Sequence, residues 1–245
     1  MINRRQALKL GLVGALALPR RALAFGAASA VRFAVLKDAA PVGRMGGFKR
    51  LAMEVERRTA IQCADEAVLV DGGDDEIFAH PIVFAIGAGE APPWGAARWA
   101  RLAAYVRAGG MIVFDSTVAG DGYAEACIEH LASHLPAEAL VRADEEHVLY
   151  RSFYLLKNPV GRLIADEQPR LLMVDGRVVA IATGVDLLGA LQRDEFGAWA
   201  FACSPGGESQ RERATRWGIN LIMYATCTDY KADQVHIPFL LKRRR

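Results

Sequence analysis

Short, almost wholly apolar runs alternate with longer amphipathic segments through the first half of the chain. The apolar runs occupy residues 31–36, 67–70, 81–86 and 111–114. The helical segments between and after them occupy residues 46–59, a stretch from Pro92-Pro93 to Gly109-Gly110, and residues 122–135. A strand that is apolar on both faces needs cover on both faces, as in parallel sheets layered between helices. The pattern therefore predicts an α/β fold with a doubly wound, mainly parallel sheet of the flavodoxin-like or a related type.

The second half of the chain has a different pattern. Residues 171–174 and 178–181 are two strand-like runs separated by Asp175-Gly176, a pair that favours a two-residue hairpin turn. Residues 206–226 form one long helical segment with an apolar face. Because no linker or internal repeat interrupts the chain, we expect a single domain over residues 25–245.

The first 24 residues have the pattern of an export signal. Arg4 and Arg5 precede an apolar stretch at residues 10–18, and Ala22-Leu23-Ala24 follows as a small-residue cleavage site. The stretch is too short for a bilayer span, which needs about 20 apolar residues, and no later run qualifies. This segment resembles a twin-arginine signal, which predicts cleavage after Ala24 and a periplasmic mature protein.

The charge distribution and the cysteines exclude several kinds of site. Five basic and no acidic side chains lie in residues 1–24, so the remainder is net acidic and lacks the basic face that nucleic acid requires. The four cysteines form no C-x-x-C pair, which argues against a zinc knuckle or a thioredoxin motif. Cys127 and Cys227 fall on apolar helix faces and are expected to be buried free thiols, while the state of Cys63 and Cys203 stays open.

Polar residues follow the predicted strands, and ligands bind parallel sheets at the carboxyl ends of the strands. These residues are Lys37 and Asp38 after the first run, Glu90 after the third, Asp115 after the fourth, and Asp186 after the hairpin. They predict a polar hollow for a cation, a polyol or a basic group. The competing interpretation is that Asp115 and Asp186 cap the helices that follow them.

Motifs for nucleophilic or metal chemistry are incomplete. Ser116 follows a strand, but the first glycine of a G-x-S-x-G elbow is missing. His130 and His134 have the spacing of metal ligands on a helix, yet the glutamate of the H-E-x-x-H motif is absent. We therefore predict no metal site, and no motif identifies a cofactor.

Three segments carry a resemblance to a known family. They are residues 109–115, residues 147–154, and residues 218–225 together with 230–238. These segments resemble the bacterial family called domain of unknown function 4159, over most of residues 30–245. The resemblance implies a class I glutamine amidotransferase-like fold. Larger relatives carry membrane segments of the aerotolerance type, which implies a role at the cell envelope.

The family-like segments add two candidate ligand-binding residues, Asn220 and Lys231. Asn220 lies within an otherwise apolar helix and must satisfy its amide if it is buried. Lys231 lies in a polar segment with little apolar cover. For both residues, a structural role and a position in a binding site are the two interpretations.

Three hypotheses for the function follow. The first is a non-catalytic envelope domain that binds a small polar ligand or a protein partner. The second is a periplasmic hydrolase that uses Asp115, Ser116 and Glu90 with a spatially adjacent histidine or metal. The third is a structural partner in an envelope assembly, in which the basic C-terminal end at residues 242–245 makes the contact. A histidine or carboxylate within hydrogen-bonding reach of Ser116 favours the hydrolase.

Overall fold

The computed structural model describes residues 30–37, 43–135, 139–165 and 168–227. Within them, the chain forms a seven-stranded mixed sheet with helices on both faces. The strands are β1 (Ala34–Leu36), β2 (Val68–Val70), β3 (Ile82–Gly87), β4 (Met111–Ser116), β5 (Ala139–Arg142), β6 (Arg170–Val174) and β7 (Arg177–Thr183). The helices are α1 (Met45–Arg58), α2 (Ala96–Arg107), α3 (Tyr123–Ala132), α4 (Leu187–Leu191) and α5 (Gly207–Thr226).

Several predicted features lie outside the described residues. They are the export signal at residues 1–24, Asp38, Lys231 and the basic C-terminal end. These stay predictions.

The sheet is largely parallel. Its strand order is β2-β1-β3-β4-β7-β6-β5. Strands β2, β1, β3, β4 and β7 are parallel neighbours, and β6 runs antiparallel to both β7 and β5. The chain passes from β1 to β2 on one side and returns to β3 on the other, so the strand order reverses beside β1. The predicted α/β class and the mainly parallel sheet are confirmed.

Two apolar cores lie on opposite faces of the sheet. Neighbouring residues of β4 alternate between them, with Val113 in the core beneath α1, α4 and α5, and Phe114 in the core beneath α2 and α3. Both side chains are almost fully buried, and each such burial contributes about 1.5–3 kcal/mol. This double burial explains why β3 and β4 read as continuous apolar runs.

The predicted hairpin and long helix are also confirmed. Asp175 and Gly176 both have positive φ (50° and 73°) between β6 and β7, the backbone that a two-residue type I′ turn requires. Helix α5 begins at Gly207 and ends at Thr226, within one residue of the predicted bounds.

Other predicted boundaries need correction. The helix expected to open at Pro92-Pro93 begins instead at Ala96, because a residue that precedes proline avoids helical backbone. Strand β5 was not predicted, and helix α4 was expected only as a helix of unstated length after Asp186. They have four and five residues, too few to show a period.

Helix α1 packs against α4 through a glycine, which yields a testable prediction. A Cβ on Gly47 would lie 2.5 Å from the Leu188 carbonyl oxygen, a backbone atom that cannot rotate away. We expect Gly47→Ala to lower the free energy of unfolding by about 1–3 kcal/mol, measured by urea denaturation.

The neighbouring glycine provides the matched control. A Cβ on Gly46 would meet only the end of the flexible Gln192 side chain, and alanine is the better helix former by up to about 1 kcal/mol. Gly46→Ala is therefore expected to be neutral or stabilising. Equal effects of the two variants would contradict the close packing of α1 on α4.

Candidate functional site

The carboxyl ends of β1, β3, β4 and β7 share one edge of the sheet, and most predicted site residues lie there. Lys37 follows β1 and Glu90 follows the end of β3, and both are exposed. Asp115 and Ser116 are the last two residues of β4. Asp186 lies just beyond β7. The predicted edge of the sheet is thus the observed one, but these side chains differ sharply in their surroundings.

Asp115 is buried beneath the strand ends and holds the turn after β7. Its Oδ1 accepts hydrogen bonds from the Thr183 hydroxyl (2.7 Å) and from the N–H groups of Val185 (3.1 Å) and Asp186 (3.2 Å). Its Oδ2 accepts from the Leu187 N–H (2.7 Å), at the start of α4. Asp115 therefore serves α4, not the helix α3 that follows it in sequence.

Burial also changes the ionisation of the Asp115 carboxyl group. Burial, followed by the negative charge of Asp186, raises the pKa of Asp115 to about 7, although the hydrogen bond from the Leu187 N–H acts in the opposite direction. The carboxyl group thus changes charge near neutral pH.

Asp186 is fully buried and is held by two arginines. The Arg44 guanidinium donates from Nε to Oδ1 (2.8 Å) and from Nη2 to Oδ2 (2.9 Å). The Nε of Arg162 also donates to Oδ2, and its Nη2 donates to the Thr117 carbonyl (2.8 Å). Asp186 further caps α4 by accepting from the Gly189 N–H (3.1 Å), so the capping interpretation holds for this residue.

The two arginines were missed by sequence reasoning. Arg44 and Arg162 lie in irregular segments, where no periodicity marks a side chain as buried. The available signal was the adjacent glycines, Gly43 and Gly161. A Cβ on Gly161 would overlap the Val185 carbonyl group, so this glycine permits close approach of the two loops.

Ser116 has a structural partner in place of a catalytic one. Its Oγ accepts a hydrogen bond from the Ala124 N–H (3.1 Å) in the first turn of α3. Among the described residues, neither a histidine nor a carboxylate hydrogen-bonds this hydroxyl. Asp115 and Ser116 are consecutive in a strand and point to opposite faces of the sheet, one toward α4 and the other toward α3.

Asn220 has its hydrogen-bond partners in the segment after residue 150, not at this edge of the sheet. Its Oδ1 accepts from the N–H groups of Phe153 (3.2 Å) and Tyr154 (2.7 Å), and its Nδ2 donates to the Tyr154 carbonyl (2.9 Å). The fully buried amide thereby fastens the segment after residue 150 to α5. Both polar atoms of the amide thus have hydrogen-bond partners, as expected for a buried asparagine.

A cavity of about 270 Å³ opens at the carboxyl ends of β4 and β7. Its walls are the loop of residues 119–122, the first turn of α3, Arg142 of β5, and residues 159, 164–165 and 168–169. Ser116 and Thr183 also line it, whereas Lys37, Glu90 and Asp115 do not. The structure therefore brings Ser116 to a cavity without the other predicted residues.

A larger and more open cavity, of about 520 Å³, lies at the amino ends of the strands. Phe78, Tyr105, Gly110 and Ala225 are among its lining residues. We place the candidate site at the smaller cavity, because ligands of parallel sheets bind beyond the carboxyl ends of the strands.

The cysteines are free throughout the part of the chain that the structure describes. Cys63, Cys127 and Cys203 are buried, while Cys227, one residue beyond α5, is only partly so. The expectation of a buried thiol is confirmed for Cys127 and is too strong for Cys227. None of the described helices has the length and apolar character to cross a membrane.

Comparison with known proteins gives one family. No curated protein matches the sequence. The family model described as domain of unknown function (DUF4159) matches residues 33–226, which include β1 through α5. Because the match covers most of its length, the chain belongs to the DUF4159 family.

Proposed function

We propose that this protein is an exported envelope protein whose single domain binds a small polar ligand without transforming it. The observation that carries this proposal is the cavity at the ends of β4 and β7. Its volume is slightly below the usual range for ligand sites, about 300–1,000 Å³, so its ligand is small. Ser116 lines it, and the Ser116 hydroxyl already caps α3.

The local chemistry favours binding over catalysis. A serine nucleophile needs a base within about 2.6–3.2 Å, and Ser116 has none among the described side chains. The carboxylates of Asp115 and Asp186 are both committed to holding α4 and its flanking loops. The hydrolase alternative has no specific support from these contacts.

The proposed fold type rests on strand order. The order β2-β1-β3-β4 in parallel, with helices on both faces, is the order of doubly wound flavodoxin-like sheets. An antiparallel β6 and β5 extend that sheet at one edge. These features support a degenerate class I glutamine amidotransferase-like fold, in which the nucleophile elbow is missing. Export rests on the twin-arginine pattern at Arg4 and Arg5, with the mature periplasmic chain beginning at Phe25.

The test uses the exported protein, purified without dialysis, denatured and analysed by mass spectrometry for bound small molecules. We expect the chain to begin at Phe25 and to release one small molecule. Ala119 is exposed and lines the cavity, so Ala119→Trp fills the cavity and is expected to lower ligand content at least about 10-fold.

Ala97→Trp is the matched control, since Ala97 is also exposed but lies on α2, outside the cavity. It is expected to retain the ligand at the wild-type level. Equal ligand content in the two tryptophan variants, or a protein that releases nothing, would contradict binding at this cavity.

A further inference from the structure

Opposite charges line the candidate cavity from two different elements. Glu125 reaches it from the first turn of α3, and Arg142 reaches it from the end of β5. Arg142 is close enough to influence the ionisation of Glu125. Arg142 also donates to the Gln168 carbonyl (3.0 Å), which fixes the guanidinium at the cavity wall.

Among the described residues, Glu125 has one ion-pair partner, which it shares with a second carboxylate. The nearest cation, Arg170, contacts Glu125 through Nη1 at 3.3 Å, but the same nitrogen lies closer to Glu129. Burial raises the pKa of Glu125, although Arg170 and then Arg142 act to lower it. A ligand cation placed in the cavity therefore gains more from Glu125 than from a fully paired carboxylate.

The remaining wall limits the size and type of the ligand. Pro159, Ile164 and Ala165 give it an apolar side, and Ile164 is 45% exposed. Among the described residues that line the cavity, none carries an aromatic ring. Sugars and nucleobases commonly stack on aromatic rings. The apolar side of this wall is instead aliphatic, so it fits a small aliphatic body.

We infer that the cavity binds a small aliphatic zwitterion of the amino-acid class, with its ammonium against Glu125 and its carboxylate against Arg142. This inference rests on the proposed function, since it names the ligand class for the same cavity. An ammonium group donates to the Glu125 carboxylate as a charge-assisted hydrogen bond, and the positive charge of Arg142 attracts the ligand carboxylate. The aliphatic side chain then covers Pro159 and Ile164.

The test is isothermal titration calorimetry on the mature protein freed of bound ligand by unfolding and refolding. The probes are L-alanine, D-alanine, L-valine and L-leucine, each compared with the amine and the acid that lack one charged group, such as ethylamine and propionate for alanine. We expect at least one amino acid to bind, and both of its one-charge analogues to bind at least about 10-fold more weakly.

Matched variants localise the site. Glu125→Gln is expected to weaken amino-acid binding at least about 10-fold. Glu76→Gln, at an exposed glutamate outside the cavity, is the control and is expected to change binding less than about 2-fold. Thermal unfolding of both variants, measured in parallel, separates loss of binding from loss of folding.

The outcomes separate this inference from the proposed function. Propionate binding as tightly as alanine would refute an ammonium site at Glu125, and ethylamine binding as tightly would refute a carboxylate site at Arg142. If the probes fail while the exported protein carries another small molecule that Ala119→Trp excludes, the inference fails and the proposed function stands. If the probes fail and the exported protein carries nothing, both fail.

Discussion

Replacing Asp186 with asparagine is expected to lower the free energy of unfolding by about 3–5 kcal/mol, since it leaves two largely buried arginines without their anion. Arg44 and Arg162 are both held by this one carboxylate, whose side chain is fully buried. Asparagine preserves the cap on the Gly189 N–H and tolerates the positive φ (51°) of this position. The loss of stability therefore measures the effect of removing the negative charge of Asp186. Urea denaturation at pH 7 gives the free energy of unfolding of the wild type and the variant.

The control is an aspartate–arginine pair whose carboxylate is only partly buried. Asp71 accepts from Arg98 (2.8 Å) and from the Gly73 N–H (2.8 Å), but its side chain is 29% exposed, whereas that of Asp186 is fully buried. Asp71→Asn is expected to cost about 1 kcal/mol or less. If the two asparagine variants lose similar stability, burial of the Asp186 network does not have the effect that we assign to it.

The candidate cavity does not lie at the point where the strand order reverses. In doubly wound sheets the ligand crevice forms where the strand order reverses, here beside β1 and β3. The described part of that edge includes Arg44, which is bound to Asp186 across the sheet end. The cavity opens further along, at β4 and β7, next to the antiparallel extension of the sheet. The added strands thus form one wall of the cavity.

Elements with a strong local signal could be predicted from the sequence. Strands β3 and β4 are six-residue apolar runs, and their double burial leaves few alternatives to a covered parallel sheet. The turn at Asp175-Gly176 is determined by two adjacent residues that accept positive φ. Helix α5 spans 20 residues, long enough for its period to be clear.

Features that depend on distant partners could not be predicted. Arg44 and Asp186 are 142 positions apart, and no local pattern links a loop arginine to a carboxylate beyond another strand. Strand β5 exists because β6 offers it an edge, so its four residues need little propensity of their own. Glu125 of α3 and Arg142 of β5 likewise line one cavity only because the tertiary fold brings these two elements together.

The sequence predicted a polar hollow at the carboxyl ends of the strands, and the candidate cavity lies at the same edge of the sheet but is lined by other charged residues, such as Glu125 and Arg142. Sequence position places Asp115 at the end of β4, yet only coordinates reveal that four donors surround it. A buried carboxylate at a strand end and a ligand-binding carboxylate look identical in sequence. Burial and hydrogen-bond partners distinguish them.

The contribution of Asp115 to the free energy of unfolding is expected to fall as the pH rises from about 4 to about 7. Its pKa is raised to about 7 in the folded protein from an ordinary value of 3.8. Between these pH values the folded protein holds a proton that the unfolded chain has released, so folding weakens with rising pH and then levels off. The full difference corresponds to at most roughly 4 kcal/mol.

Comparison with Asp115→Asn isolates this contribution, because asparagine occupies the same space and does not titrate. The substitution also lowers the free energy of unfolding by an amount that does not depend on pH, because the amide nitrogen of asparagine cannot accept the hydrogen bonds that the Asp115 carboxylate accepts. The difference in free energy of unfolding between wild type and variant, measured in urea at one-unit steps from pH 4 to pH 8, is expected to shift in favour of the variant by about 2–4 kcal/mol. Ionisable groups that do not interact with Asp115 cancel in this difference. A difference that stays constant within about 1 kcal/mol across that range would show that the environment of Asp115 leaves its pKa near the ordinary value.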